Sequence, residues 1–175
     1  VTSPREVGLP RARSILSTVP SNVETVVVSM PQDVEEARRL DGKIGSDFLQ
    51  VHSSLEISEI EQIKETIAKK LIVVVSIGRE EEGSEDSIAK AEKLSDVVDF
   101  LLLDTSSPSG GGTGRVHDWE TSREIVDFFD GNVVLAGGLD PTNVGEAIEK
   151  VEPYGVDVAS GVETIPGRKD PDLME

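Results

Sequence analysis

The chain has 175 residues, 37% of them hydrophobic, and its 34 acidic and 17 basic side chains give a formal net charge of −17. This length and apolar content suit one sizeable core, so we expect a single domain over residues 1–175. We expect neither a membrane span nor a secretory signal, and therefore a cytoplasmic location, because no apolar run is long enough to cross a bilayer. The negative charge excludes nucleic acids and acidic membranes as partners, and the absence of cysteine excludes disulfides and cysteine-bound metals in this sequence.

Six runs rich in valine, isoleucine and leucine recur along the chain and predict β-strands. Their residues are 23–28, 47–52, 71–77, 98–104, 132–138 and 156–160. Segments with a helical spacing of apolar residues lie between them. Two such stripes are Ile57, Ile60, Ile63 and Ile67, and Val144, Ala147, Ile148 and Val151. The alternation of strands and helices predicts an α/β fold with parallel strands, either a doubly wound sheet or a (β/α)8 TIM barrel.

Two Asp-Pro pairs late in the chain predict helix starts. Asp140 precedes Pro141, and Asp170 precedes Pro171. An aspartate can accept a hydrogen bond from the first free amides of a helix, and proline suits the first helical position because it has no amide hydrogen to satisfy. We therefore expect one helix to begin at Pro141 and another at Pro171.

The fourth predicted strand carries the strongest candidate for chemistry. Its apolar run ends in Asp104 and opens into a glycine-rich segment that we expect to form a lid loop. The lid residues are Gly111, Gly112, Thr113 and Gly114. In α/β proteins ligands bind at the carboxyl ends of parallel strands, so an acid at this place favours catalysis. The alternative is an aspartate that only ends the strand and bonds the turn.

Glycines also follow the last two predicted strands, and they favour the barrel over the doubly wound sheet. No GxGxxG follows the first strand, whereas Gly137 and Gly138 follow the fifth, and Ser160 with Gly161 follow the sixth. Loops after the last two strands of a barrel often bind phosphate, since glycine lets backbone amides approach the oxygens. A single glycine there is also typical of a turn into a helix. Two such loops on adjacent strands predict a phosphate site.

Three motifs stand in order and carry a resemblance to a known family. They are LLLDT followed by GGTGRVHDW, then LAGGLDPTNVGEAIEKVEPYGVDVASGVE, then PGRKD. Together they resemble phosphoribosylanthranilate isomerase of tryptophan biosynthesis. The resemblance extends upstream to QVH, which ends at His52, and to SPR, which ends at Arg5, and so covers nearly the whole chain.

The resemblance has departures of two kinds. Ser53 stands where the family usually has glycine, Arg115 where it usually has lysine, and Val75 near a position that often carries lysine. The family also opens with a strand bearing KxCG, whose cysteine is the general base. On this resemblance we expect the chain to hold strands 3 to 8 of the barrel, without strands 1 and 2, without the catalytic cysteine and without most of the last helix.

The reaction that the resemblance implies is an Amadori rearrangement of an aminoaldose, phosphoribosylanthranilate, to an aminoketose. An acid protonates the ring oxygen, and a base then removes the C2′ proton. Asp104 matches the acid, and its pKa must be raised by burial or by a neighbouring carboxylate such as Asp157. Arg5 would bind the anthranilate carboxylate through its planar fork of donors. Asp157 would orient the substrate, or else is a structural acid at a strand end.

The other singled-out residues have structural predictions. We expect His52 to line the mouth of the site as a hydrogen-bonded strand-end residue, which makes it a candidate substrate contact. We expect His117 to be solvated in its loop, and Trp119 to anchor the start of a helix in the core. The two histidines lie far apart without clustered partners, so we expect neither a metal nor a cofactor, and a small phosphorylated molecule as the partner.

Two alternatives stay open from the sequence. Another ribose-phosphate barrel enzyme of histidine or tryptophan synthesis would share the phosphate loops, but not LLLDT with GGTGR. A catalytically inactive domain that binds a phosphorylated ligand is the other alternative, because the cysteine base is not among these residues.

Overall fold

The computed structural model describes residues 5–52, 54–78, 84–105 and 117–174. Within them lies a six-stranded parallel sheet in which each strand pairs with the next one along the chain. The strands are β1 (Val26–Ser29), β2 (Phe48–Val51), β3 (Lys70–Ile77), β4 (Phe100–Thr105), β5 (Asn132–Leu135) and β6 (Gly155–Val156). Strictly sequential order is that of a barrel wall, whereas a doubly wound sheet reverses its order part-way. The fold is thus an α/β half-barrel.

Helices precede the sheet and connect its strands. They are α1 (Leu9–Leu16), α2 (Val34–Lys43), α3 (Ile57–Thr66), α4 (Glu85–Leu94), α5 (Trp119–Phe128) and α6 (Val144–Val151). After β6 come a 3₁₀ turn at Ser160–Val162, an antiparallel hairpin of β7 (Glu163–Ile165) and β8 (Arg168–Lys169), and a second 3₁₀ turn at Pro171–Leu173. Across the described ranges, every helix is too short or too polar to span a bilayer.

The six predicted strands are confirmed, with differences at their ends. β1 begins at Val26 because Thr25 uses its amide and hydroxyl to bond the Asp47 carboxylate instead. β5 ends before Gly137 and Gly138, whose positive φ angles of 82° and 70° are incompatible with an extended strand.

The core lies on both faces of the sheet, which explains why the strands are almost continuously apolar. Alternate strand residues such as Leu101 and Leu103 pack against the helices. The residues between them form a second cluster on the inner face. Its buried members are Phe48, Ile72, Val74, Phe100, Leu102 and Ala136. Because side chains alternate, Asp104 lies on the same inner face as Phe100 and Leu102 of β4.

The predicted helix stripes are mostly confirmed. In α3, Ile60 and Ile63 are buried, and Ile67 is buried at its C-terminal end. In α6, Ala147 and Val151 are fully buried, but Ile148 is 45% exposed. The stripe of α6 is therefore narrower than we predicted.

The two Asp-Pro predictions have different outcomes. Asp170 is confirmed as a cap, since its carboxylate accepts from the amide of Asp172 at 3.0 Å and Pro171 begins the 3₁₀ turn. The start predicted at Pro141 is wrong, because α6 begins at Val144. The Asp140 carboxylate instead accepts from the amide and the hydroxyl of Thr142, which stabilises a separate turn before the helix.

Candidate active site

The inner face of the sheet brings three predicted residues to one edge. His52 follows β2, Asp104 lies near the end of β4, and Asp157 follows β6. Backbone hydrogen bonds place Asp104 and Asp157 at the same level along their strands, since the Asp157 amide donates to the carbonyl of Leu135 at 2.8 Å and the Ala136 amide donates to that of Leu103. The charge of His52 acts on Asp104, and that of Asp104 acts on Asp157. This edge is the carboxyl end of the strands, where α/β proteins bind ligands.

Asp104 has the environment of a proton donor. Its side chain is half-buried, and burial raises its pKa above the usual value. The amide of Thr105 donates to its Oδ1 at 2.8 Å, and this bond together with the charge of His52 lowers the pKa in opposition to burial. Burial therefore favours the protonated form of Asp104, while the hydrogen bond from the Thr105 amide stabilises the anion.

Asp157 is the second acid of this edge. It is exposed to solvent, although neighbouring protein atoms partly desolvate its carboxyl. Its pKa is raised by desolvation and by the nearby charge of Asp104, and lowered by Lys169. Of the two causes that we predicted for a raised pKa of Asp104, burial is the one that acts, whereas the charge of Asp104 raises the pKa of Asp157.

Gly137 has no side chain, and this makes room for Asp104. A Cβ atom built on Gly137 would lie 2.3 Å from Thr105 Oγ1 and 2.9 Å from Asp104 Oδ1. Its φ of 82° is also one that residues with side chains rarely adopt. We predicted Gly137 as a phosphate ligand or a turn residue, and the structure adds close packing against Asp104.

The two predicted phosphate loops touch each other. A Cβ atom on Gly161 would lie 2.0 Å from the carbonyl oxygen of Leu139, so the 3₁₀ turn that begins at Ser160 rests directly on the loop after β5. That loop is held by Asn143, whose Nδ2 donates to the carbonyl of Gly138 at 3.0 Å. The predicted adjacency of the two loops is confirmed.

Comparison with known proteins decides the family. The family model of N-(5′-phosphoribosyl)anthranilate (PRA) isomerase matches residues 1–175. The chain is 43% identical over 175 residues to N-(5′-phosphoribosyl)anthranilate isomerase of Haloferax volcanii, covering 99% of this chain and 75% of that relative. The chain belongs to the PRA isomerase family. Its function is accordingly that of an isomerase of tryptophan biosynthesis.

Solved structures of PRA isomerases have the same fold. The crystal structure of phosphoribosyl anthranilate isomerase from Thermotoga maritima matches with a TM-score of 0.83 and 32% identity, over 98% of this chain and 79% of that one. A crystal structure of phosphoribosyl anthranilate isomerase in complex with reduced 1-(o-carboxyphenylamino)-1-deoxyribulose 5-phosphate matches with a TM-score of 0.77 and 29% identity, over 98% and 78%.

Arg5 of this PRA isomerase sequence makes an ion pair that we did not predict. Its Nε donates to Glu163 Oε1 at 3.0 Å and its Nη2 to Oε2 at 2.5 Å. Lys169 Nζ lies 3.1 Å from the same carboxylate. No local sequence pattern links Arg5 to a hairpin 158 residues away, so Glu163 was missed. Glu163 ends one motif of the family resemblance, and Lys169 lies in the next, PGRKD.

His117 is buried, so the prediction that it is solvated is wrong. It is 5% exposed, its Nδ1 lies 3.2 Å from Thr105 Oγ1, and its Nε2 lies 2.7 Å from Ser122 Oγ. Burial lowers its pKa to about 4. The physical reason is the start of α5, where Asp118 caps the helix and its amide bonds the carbonyl of Gly78, which turns the preceding histidine inward.

The remaining predictions have mixed outcomes. Trp119 is confirmed as the first residue of α5, packed against the core. His52 is confirmed at its strand end, where its amide donates to the carbonyl of Ser29 at 2.9 Å. Val75 is fully buried on the helix-facing side of β3. In the ranges that the structure describes, no three acidic or histidine side chains are grouped to hold a metal ion.

Some predicted positions lie outside the described residues. They are the lid residues Gly111, Gly112, Thr113 and Gly114, and also Ser3, Ser53 and Arg115.

Proposed function

We propose that Asp104 is the general acid in the conversion of N-(5′-phosphoribosyl)anthranilate to 1-(2-carboxyphenylamino)-1-deoxyribulose 5-phosphate. The observation that supports this most is its combination of place and environment. It lies on the inner face at the carboxyl end of β4, half-buried, with a raised pKa. A raised pKa keeps the proton on the carboxyl up to a higher pH, where it can be donated in a transition state.

The proton transfer opens the sugar ring. Asp104 protonates the furanose oxygen, the bond between that oxygen and C1′ breaks, and the anilinic nitrogen supplies the electron pair that forms the iminium. Loss of the C2′ proton to a base then gives the enolamine, which becomes the aminoketose. When Asp104 becomes an anion, the Thr105 amide at 2.8 Å stabilises it. The 175 residues contain no cysteine, so the base implied by the resemblance is not among them.

Asp157 is proposed to contact and orient the reacting sugar from the end of β6, two strands away from Asp104. It lies on the same inner edge as Asp104, and its own pKa is raised by desolvation and by that neighbour. A second carboxyl here favours a single shared negative charge, since two like charges close together resist ionising together. His52 is proposed to line the same mouth and to contact the substrate.

The phosphate is proposed to bind where the two glycine loops meet. Gly137 and Gly138 have positive φ angles, and Gly161 packs without a side chain against Leu139. Backbone without side chains can approach phosphate oxygens closely, and the Ser160–Val162 turn begins at the same place. This position suits the phosphate end of the substrate, while Arg5 suits its carboxylate end.

We further propose that residues 1–175 form one domain and that β1 to β6 correspond to strands 3 to 8 of a (β/α)8 barrel. The sequential parallel order of the strands supports this. So do the two glycine loops after β5 and β6, because loops after strands 7 and 8 are the usual phosphate site of such barrels.

The test of the acid is Asp104→Asn in the active protein. We expect kcat to fall by about 10² or more, with an unchanged melting curve, because a positioned proton donor is lost while the shape is kept. Wild-type activity should also fall as the pH rises through the raised pKa of Asp104, and the variant should lack that dependence. Asp96→Asn, at an exposed position after α4, is the matched control.

The outcomes separate three roles of Asp104. An aspartate that only bonds its turn would tolerate the amide, so kcat retained above about a tenth of wild type contradicts the acid. An aspartate needed by the fold would lower kcat and the melting temperature together. No conversion of the substrate by the wild-type protein would refute the function itself.

A further inference from the structure

Three charged side chains meet at the β7–β8 hairpin. Glu163 on β7 accepts two hydrogen bonds from Arg5 and lies 3.1 Å from the Nζ of Lys169 on β8. The hydrogen bonds from Arg5, followed by those from Lys169, lower the pKa of Glu163 to about 2. Glu163 is therefore an anion throughout the physiological pH range. We call these three residues the hairpin triad.

We propose that Glu163 is a positioning residue that holds the Arg5 guanidinium in the orientation that binds the substrate carboxylate. Lys169 replaces the positive charge that is lost when Glu163 neutralises Arg5. This inference rests on the proposed function, in which Arg5 binds that carboxylate. It assigns roles to two residues that the mechanism has not used.

The exposure of the triad supports this arrangement. The side chain of Glu163 is 4% exposed, whereas that of Arg5 is 36% exposed. The carboxylate therefore lies behind the guanidinium, and an incoming anion meets the cation first. If Glu163 were instead a competitor for the site, we would expect it to be the exposed partner.

The contact geometry explains how Glu163 can orient Arg5. Both hydrogen bonds come from one edge of the guanidinium, formed by Nε and Nη2. Two parallel bonds to a planar fork fix the plane of the group as well as its position. An arginine held in this way loses less freedom when it binds a ligand, and so binds it more tightly.

The charge of the triad matches a single carboxylate. Arg5 and Glu163 alone form a neutral pair, which has little long-range attraction for an anion. Lys169 returns the total to one positive charge. Its Nζ also donates to the carbonyl of Ala159 at 2.6 Å, beside the proposed phosphate loop, and its charge lowers the pKa of Asp157. The triad is thus electrostatically part of the site.

The test is Glu163→Gln in the active protein. We expect KM to rise by about tenfold, because bonds between charged groups are lost, and kcat to stay nearly unchanged, because carboxylate binding acts equally on the ground and transition states. Anthranilate alone should bind more weakly by a similar factor, while inorganic phosphate should bind as before. Glu146→Gln, which removes the same charge from an exposed ion pair with Lys150, should change none of these.

A second measurement shows whether Glu163 acts through Arg5. In an Arg5→Met background, Glu163→Gln should add no further loss of anthranilate affinity. Lys169→Met should also raise KM, because it leaves the Arg5–Glu163 pair in place but removes its surplus charge. Calorimetry measures these affinities without turnover. Absence of isomerase activity in the wild-type protein would therefore refute the proposed function. The binding data would still test the role of Glu163.

Three results would overturn the inference. A fall in KM in Glu163→Gln would mean that the glutamate competes with the substrate. An unchanged KM and unchanged anthranilate affinity would mean that it does not act on Arg5. Equal losses of affinity in the wild-type and Arg5→Met backgrounds, accompanied by a lowered melting temperature, would mean a structural role.

Discussion

His117 shows how a single side chain can couple the site to the stability of the fold. It bridges Thr105, at the end of β4, and Ser122, in the first turn of α5. Since Thr105 also donates its amide to Asp104, the imidazole lies one residue behind the proposed acid. A neutral imidazole can accept a hydrogen bond at one nitrogen and donate one at the other, which suits this place between two hydroxyl groups.

The burial of His117 predicts a pH dependence of stability. The folded pKa of about 4 is below the usual 6.5, so the unfolded chain binds the proton first as the pH falls. Its contribution is present above pH 6.5 and is lost towards pH 4, by about 3 kcal/mol in total. We expect urea unfolding at pH 7 and pH 4 to show a smaller difference for His117→Gln than for wild type. Equal differences would contradict a buried neutral histidine.

At the scale of residues, sequence reasoning found some site groups and missed others for one reason. Asp104 could be predicted because an acid directly after an apolar strand is a local signal. Glu163 and the burial of His117 could not, because they depend on partners from distant parts of the chain. The fork between Arg5 and Glu163 joins residues 158 positions apart, and no spacing in the sequence marks such a pair.

The contact between the two glycine loops is the main element-level feature of the site. The loop after β5 and the turn at Ser160–Val162 pack backbone against backbone, with Gly161 at the point of contact. Any side chain there must push the loops apart, since the nearest atom is a carbonyl oxygen of Leu139 at 2.0 Å from the position of a Cβ. The proposed phosphate site and the packing of the loops therefore depend on the same glycine.

Gly161→Ala tests this dependence. We expect KM for the phosphorylated substrate to rise and the free energy of unfolding to fall by about 1–3 kcal/mol, as in other overpacked sites. Gly145→Ala is the matched control, because nothing lies within 4 Å of its Cβ position in α6. It should instead stabilise the helix, by up to about 1 kcal/mol, without changing KM. A Gly161→Ala variant with wild-type KM and stability would show that the loops are not in contact.

Element order was largely predictable, and element ends were not. Apolar runs located all six strands, and in the central strands β2, β3 and β4 these runs reflect burial on both faces of the sheet. Their ends are set by interactions outside the run, as when Thr25 bonds Asp47 before β1, or when Asp140 closes a turn ahead of α6. Hydrophobic patterning does not report such polar contacts.

Across the whole molecule, the surface carries far more negative than positive charge. The sequence has 34 acidic and 17 basic residues, and most of the described ion pairs have exposed side chains. Exposed ion pairs contribute little to stability, so screening them with salt lowers the free energy of unfolding only slightly. Repulsion among the unpaired acids destabilises the compact state, and salt screens it.

We therefore expect the melting temperature to rise with sodium chloride from about 0.05 M to about 1 M, where the screening length falls to about 3 Å. Replacing Glu61, Glu65 and Glu149, which are exposed on α3 and α6, by glutamine should reduce this rise. A melting temperature that falls with salt would show that attractive pairs outweigh the repulsion.

The ion pair between Arg5 and Glu163 has a consequence for the order of folding. Each strand of the sheet pairs with its neighbour along the chain, so most of the sheet can form by adding one strand to the next. The pair is different, because its two residues are 158 positions apart and come together only when the final hairpin is in place. Closing so long a loop costs the most chain entropy. A ribosome-bound chain can therefore assemble the acid of β4 early, while the proposed carboxylate site is completed only after β7 and β8 have formed.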